Sequence, residues 1–141
     1  MNNLDLKDRV AIITGGAQGF GLAISKRIIQ SGGKVVIWDI DKAAAESALK
    51  EINSNNLSYK IVDATNYNEI EKAVNESETK LGKIDIFINN AGITGMNAKV
   101  WDYPLDEWKK VIELDLNSTF YCCKAVVPHM IKNNYGRIVN I

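Results

Sequence analysis

The residues best placed to do chemistry lie near the start of the chain. The run Thr14-Gly15-Gly16-Ala17-Gln18-Gly19-Phe20-Gly21 follows an apolar stretch, Val10-Ala11-Ile12-Ile13, and opens onto an amphipathic segment at residues 22–30. A strand, a glycine-rich turn and a helix start in that order make an anion site. Glycine lets the backbone approach a diphosphate closely, and the helix start aims free N–H groups and its positive dipole end at it. Glycine also collects in turns for conformational reasons alone, so the strand–turn–helix context carries the weight. The ligand class implied is a dinucleotide.

Asp39 ends the second apolar run, residues 34–38. A carboxylate there can accept hydrogen bonds from a ribose 2′-hydroxyl and repels a 2′-phosphate. Gln18 is neutral and the glycine turn holds no Lys or Arg. Both points favour NAD over NADP, although Asp39 could instead help Asp41 start the next helix. Asn89-Asn90-Ala91-Gly92 follows a further apolar run at residues 84–88. That is the carboxyl end of a strand, where parallel sheets bind their ligands. Small residues allow close approach there, and amide side chains can tie neighbouring strands together.

These groups need a scaffold, and the rest of the chain supplies one. Strands are predicted at 10–14, 34–38, 57–62 and 84–88, with a fifth beginning at Arg137. Helices are predicted between them. The first runs from Gly19 to about residue 31 with Phe20, Ile24 and Ile28 on one face, and ends at Gly32-Gly33. The second, 42–53, is capped by Asp41. The third is opened by Asn66 and Glu69 in a capping-box arrangement. Pro104 starts one long helix whose stripe is Trp108, Ile112, Asp115, Thr119, Cys122 and Val126, with Pro128 near its end. Continuous apolar strands alternating with helices predict an α/β fold: a doubly wound parallel sheet of Rossmann type, stopping after its fifth strand, in the order 3-2-1-4-5. Residues 1–141 form a single incomplete dinucleotide-binding domain, and the fifth strand is expected at an exposed edge that could pair with another copy.

Composition excludes several classes. Lys+Arg and Asp+Glu each number 17, so no net field recruits nucleic acid or an anionic membrane. No apolar run is long enough for a membrane span. The opening Met1-Asn2-Asn3-Leu4-Asp5-Leu6 lacks the pattern of a secretory signal. Cys122 and Cys123 are adjacent, which suits neither a disulfide framework nor a metal site. They are read as reduced core thiols of a cytoplasmic protein. His129 is read as a surface or interface residue, and Trp101 and Trp108 as packing residues. Residues 96–101 could shape a substrate entrance.

With the glycine turn, Asp39, Asp63-Ala64, Asn89-Asn90-Ala91-Gly92 and Gly136-Arg137-Ile138-Val139-Asn140-Ile141 in register, the whole chain resembles the short-chain dehydrogenase/reductase family. The resemblance implies that Gly15, Gln18, Gly19, Phe20 and Gly21 surround the pyrophosphate and nearby ribose. It implies that Asp39 and Ile40 meet the adenosine ribose, and that Asp63 and Ala64 flank the adenine. Asn90, Ala91 and Gly92 would lie along the nicotinamide side. The family transfers hydride between nicotinamide and an alcohol or carbonyl carbon, using a serine, a tyrosine, a lysine after three intervening residues, and a helix asparagine in a proton relay.

The chain departs from that pattern. The serine, tyrosine and lysine would follow the strand ending at Ile141, and no Tyr-x-x-x-Lys occurs elsewhere. Asp115 takes the relay asparagine's place, and its position on the apolar stripe would bury a carboxylate, which is costly unless paired or protonated. The expectation is an NAD(H)-binding portion of an oxidoreductase that holds cofactor without turnover. The alternative is a stand-alone NAD(H)-binding or structural module. A small alcohol or carbonyl substrate is implied only for a longer enzyme.

Overall fold

The computed structural model describes residues 4–141, so Met1-Asn2-Asn3, part of the segment judged not to be a secretory signal, lies outside the described residues. Five parallel strands form one sheet in the order β3-β2-β1-β4-β5. They are β1 (Val10–Thr14), β2 (Lys34–Asp39), β3 (Leu57–Ile61), β4 (Ile86–Asn89) and β5 (Arg137–Asn140). β1 is buried at every position and pairs with β2 on one side and β4 on the other. β3 and β5 are the edges, and Val139 of β5 is exposed, as expected for an uncovered edge.

Side chains alternate across the sheet and build two cores. Ala11, Ile13, Val35 and Ile37 pack beneath α1 (Gly19–Gln30) and α2 (Lys42–Ile52). Ile12, Val36, Trp38 and Phe87 pack beneath α3 (Tyr67–Leu81) and α5 (Ser118–Lys132). The caps form where their residue types place them. Asp41 accepts the Ala44 N–H at 3.0 Å. Asn66 accepts the N–H groups of Asn68 and Glu69, while Glu69 reaches back to the Asp63 N–H at 3.0 Å. Among the described residues no helix is long and apolar enough to cross a membrane.

Three expectations are corrected. The buried face of α1 is Gly21, Ser25 and Ile28, and Phe20 is 79% exposed. The helix turns its smallest residues to the sheet, and Ser25 Oγ donates to the Gly21 carbonyl at 2.8 Å and approaches that of Gly16 at 3.3 Å. Close backbone approach, not apolar bulk, sets that face. Second, the long helix is interrupted. α4 (Leu105–Ile112) passes through a π-helical segment, Glu113–Asn117, into α5. A wider π turn shifts the angular register, so one stripe cannot run through both helices. α4 has no buried residue, and Trp108 is 57% exposed. Third, Trp101 lies in a short 3₁₀ turn, Val100–Asp102, 75% exposed, with the Lys99 ammonium over its ring.

His129 is half-buried and pairs with Glu78 across the α3–α5 contact. Cys122 is in the core and Cys123 half-buried, both as free thiols. Burial pushes the Cys122 thiol up to about 12, so it stays neutral at ordinary pH.

The amino-terminal end of the sheet is held by a buried carboxylate. Asp85 accepts the Val10 N–H at 2.9 Å and pairs with Arg9 at 3.0 Å and Lys83 at 3.1 Å. Burial alone would raise its pKa, but the Val10 N–H and the two cations outweigh that and hold it below the ordinary 3.8. A carboxyl with a depressed folded-state pKa adds stability above its unfolded value and loses it as pH falls through the folded one. Asp85→Ala is therefore expected to cost about 1–3 kcal/mol at neutral pH by urea unfolding, because it strands a buried N–H. The gap from wild type should narrow, without closing, as pH falls from about 4 through the lower folded-state value, because the protonated carboxyl can still accept the Val10 N–H.

Candidate functional site

The carboxyl ends of β1 to β4 converge on one side of the sheet, and a network of short hydrogen bonds fixes their turns. Thr14, the last residue of β1, is buried, and its hydroxyl accepts the N–H groups of both Asn90 and Ala91 at 3.0 Å. The Asn90 amide answers by donating to the Thr14 carbonyl at 3.1 Å and the Gly15 carbonyl at 3.0 Å. The turn after β4 is thus fastened to the glycine turn after β1. Asn89 ties the other way, donating to Asn140 of β5 at 2.8 Å.

The glycine turn leaves no room for side chains where it matters. A Cβ on Gly21 would lie 2.2 Å from the Gly15 carbonyl oxygen and 2.6 Å from the Asn90 amide nitrogen. Gly15 itself has φ +60°, and its N–H donates to the Trp38 carbonyl at 2.8 Å. Asp41 and Asn66 cap α2 and α3, but Gln18 at the start of α1 makes no side-chain cap. The first turn of α1 thus carries no side-chain cap, and the dipole end there favours an anion.

Asp39 fastens two turns. One carboxylate oxygen accepts the Ala17 N–H at 3.2 Å and the other the Asp41 N–H at 3.0 Å. It orients the glycine turn and begins the next one, while each oxygen keeps further acceptor capacity. Asp63 is organised similarly: one oxygen takes the N–H and hydroxyl of Thr65 at 2.9 and 2.7 Å.

Between these turns lies a cavity of about 640 Å³. Gly15, Asp39, Ile40, Asp63, Ala64, Ala91 and Gly92, seven of the residues singled out from sequence, line it. Gln18, Gly19 and Phe20 are exposed in the turn beside it, and Gly21 and Asn90 hold that turn from behind. Sequence reasoning missed much of the remaining wall: Trp38 from β2, Val62, Thr65 and Ile93 from the loops, and Lys110, Glu113 and Leu114 from the helix. The helical spacing of Lys110 and Leu114, ahead of Asp115, was the available signal.

Asp115 is exposed, not turned to the core. The π segment rotates it off the buried stripe, and its Oδ1 accepts the Ile93 N–H at 2.9 Å. A Cβ on Gly92 would sit 3.2 Å from that oxygen, so the structure does bring Asp115 to the Asn90–Gly92 turn. Two tyrosines near the Glu113 stretch have raised pKa values. Tyr121 donates to Glu113 at 2.9 Å, and this bond, with burial, pushes its pKa up. Burial and the Glu71 carboxylate do the same for Tyr67.

The cavity at the switch between β1 and β4, walled by Gly15 and the carboxylates of Asp39, Asp63 and Glu113, has the place and size suited to a nucleotide. A sequence profile described as short chain dehydrogenase matches residues 9–141. The chain belongs to that oxidoreductase family. It is 42% identical over 133 residues to a 2-dehydro-3-deoxy-L-rhamnonate dehydrogenase (NAD(+)) of Sphingomonas sp. (strain SKA58), covering 94% of this chain and 53% of that one. It superposes on NAD+-bound xylitol dehydrogenase with TM-score 0.91 at 32% identity, covering 95% of this chain and 52% of the other. A 3-ketoacyl-(acyl-carrier-protein) reductase from Brucella melitensis, complexed with NADH, gives TM-score 0.87 at 32% identity over 92% and 52% of the two chains. The chain thus spans about half the length of the relatives it matches.

The Thr14 hydroxyl has a direct test. Thr14→Val keeps the side-chain shape but strands the Asn90 and Ala91 N–H groups. It should lower unfolding stability by about 1–3 kcal/mol in urea titrations, with faster hydrogen exchange at residues 90–92.

Proposed function

We propose that this chain is the NAD(H)-holding portion of a short-chain dehydrogenase acting on an alcohol or carbonyl carbon. The observation that carries this reading is the uncapped first turn of α1 beside the Asp39 carboxylate, at the mouth of the cavity. Gly15, Gln18, Gly19, Phe20 and Gly21 surround the pyrophosphate and nearby ribose, with the first N–H groups of α1 as the donors. Asp39 and Ile40 take the adenosine ribose, with Asp39 accepting from its hydroxyls and opposing a 2′-phosphate. Asp63 and Ala64 flank the adenine. Asn90, Ala91 and Gly92 border the nicotinamide, held in place by Thr14 and, through Ile93, by Asp115. Asp115 remains the candidate for the relay position.

When bound, NAD(H) supplies or accepts a hydride at its nicotinamide ring. This chain's residues bind and orient it. Their proton chemistry is limited, because the phenols of Tyr67 and Tyr121 are held protonated and no lysine stands at the family's spacing from either. The 141 residues therefore hold cofactor without turnover. The NAD(+) in one relative's name, and the NAD+ and NADH held by two structural neighbours, support the cofactor choice. The even charge balance and free thiols fit a cytoplasmic setting without nucleic-acid or membrane partners.

Thermal and chemical unfolding with added nucleotide tests this. NADH at a hundred times its Kd should add about 2.7 kcal/mol of stability, NADPH at the same concentration clearly less, and Asp39→Ala should narrow the gap. No stabilisation by NADH sinks the cofactor reading, and an equal response to NADPH sinks the preference. Oxidation of NADH with any ketone by the chain alone would overturn the claim of binding without turnover.

A further inference from the structure

The cavity carries an excess of negative charge. Asp39, Asp63 and Glu113 belong to its wall, and Lys110 is the one cationic residue among the described lining residues. The Lys110 ammonium already pairs with Glu107 at 2.6 Å. Asp115 adds a fourth carboxylate at the edge of the wall. Its Oδ1 accepts the N–H of Ile93, a lining residue, and lies 3.2 Å from where a Cβ on Gly92, another lining residue, would stand. Neutral donors hold all four carboxylates: backbone N–H groups, the Thr65 and Tyr121 hydroxyls and the Asn117 amide. None of the four makes an ion pair among the described residues. Their charge is therefore left to act on whatever the cavity holds.

The two redox forms of the cofactor differ in charge at one place. The nicotinamide ring is cationic when oxidised and neutral when reduced, and the rest of the molecule is the same. A carboxylate at the adenosine end, such as Asp39 or Asp63, acts on both forms alike. Asp115 stands instead at the Asn90–Gly92 turn, which the cofactor reading gives to the nicotinamide. Coulomb attraction acts across several ångströms and needs no contact. Asp115 is exposed, so water and salt limit the effect to a few-fold. Its hydrogen bond does not require the charge. An asparagine amide oxygen would accept the Ile93 N–H as well, so the carboxylate contributes a charge that the turn itself has no use for.

We propose that Asp115 is a charge-selecting residue, which makes this site favour the oxidised, cationic nicotinamide over the reduced, neutral one. This rests on the cofactor reading above and adds to it a preference between the two redox forms. Asp115 then has two duties: one oxygen fixes the turn through the Ile93 N–H, and the charge biases which ring the turn receives. Such a site takes up the oxidised cofactor and releases the reduced one. That order suits removal of hydride from an alcohol.

The test is calorimetric titration of the full chain with NAD+ and, separately, with NADH, read as the ratio of the two Kd values. Asp115→Asn keeps the acceptor for Ile93 and removes the charge. It should weaken NAD+ relative to NADH by about 2- to 5-fold at low salt. Asp39→Asn should weaken both forms by the same factor and leave the ratio where it was. In the wild-type chain the preference for NAD+ should shrink as KCl rises from about 0.02 M to about 0.5 M, because salt screens an exposed charge. A ratio that is the same in wild type and Asp115→Asn overturns the proposal, as does an equal shift in Asp39→Asn. Should Asp115→Asn fail to fold, a wild-type ratio insensitive to salt overturns it instead. Failure of the wild-type chain to bind either form overturns this proposal and the cofactor reading together. Binding of both forms with an unmoved ratio overturns this one alone.

Discussion

The Thr14 hydroxyl joins two loops that have no other reason to meet. β1 and β4 run parallel, so their carboxyl ends emerge side by side, and each chain must leave the sheet in its own direction. One oxygen accepts two N–H groups from the β4 turn, and the Asn90 amide returns two bonds to the β1 turn. The glycine turn is thereby held to a backbone path so tight that Gly21 has no space for a methyl group. The open first turn of α1, the position of Asp39 and the shape of the cavity all depend on that path. Satisfying the loop backbone internally is what leaves the helix N–H groups free.

The two ends of the sheet use carboxylates in opposite ways. Asp85, at the amino end, is enclosed by two cations and a backbone N–H. Its acceptor capacity goes to joining the chain around β1 and β4, and the cations hold it ionised. Asp39, at the carboxyl end, receives one N–H on each oxygen and faces the cavity. It keeps lone pairs to spare. An ionised carboxylate must be stabilised in both places, but only the second retains capacity for something outside the protein.

The π segment Glu113–Asn117 has a comparable influence on the far wall. It changes the helix phase between α4 and α5, so that Cys122, Val126 and Met130 enter the core while Leu105, Trp108, Leu116 and Phe120 stay exposed. It also swings Asp115 out to the Ile93 N–H, which removes the cost of burying an unpaired carboxylate. Lys110, Glu113 and Leu114 reach the cavity from the same stretch of helix.

The residues alone determined the five strands, the caps at Asp41 and Asn66, and the glycine and Asn turns that follow β1 and β4. Those features are local, since an apolar run, a glycine or an Asx cap acts within a few residues of itself. The tertiary structure decided the rest. The face of α1 depended on how closely its backbone could approach β1, which hydrophobic spacing does not report. The break in the long helix moved every side chain after it, and no Gly or Pro marked the place. The unpartnered indole of Trp38 was invisible in a run of apolar residues, where it reads as one more core ring. Whether a buried N–H finds an acceptor is settled by neighbours distant in sequence, and only the packed sheet shows that this one meets none among the described residues.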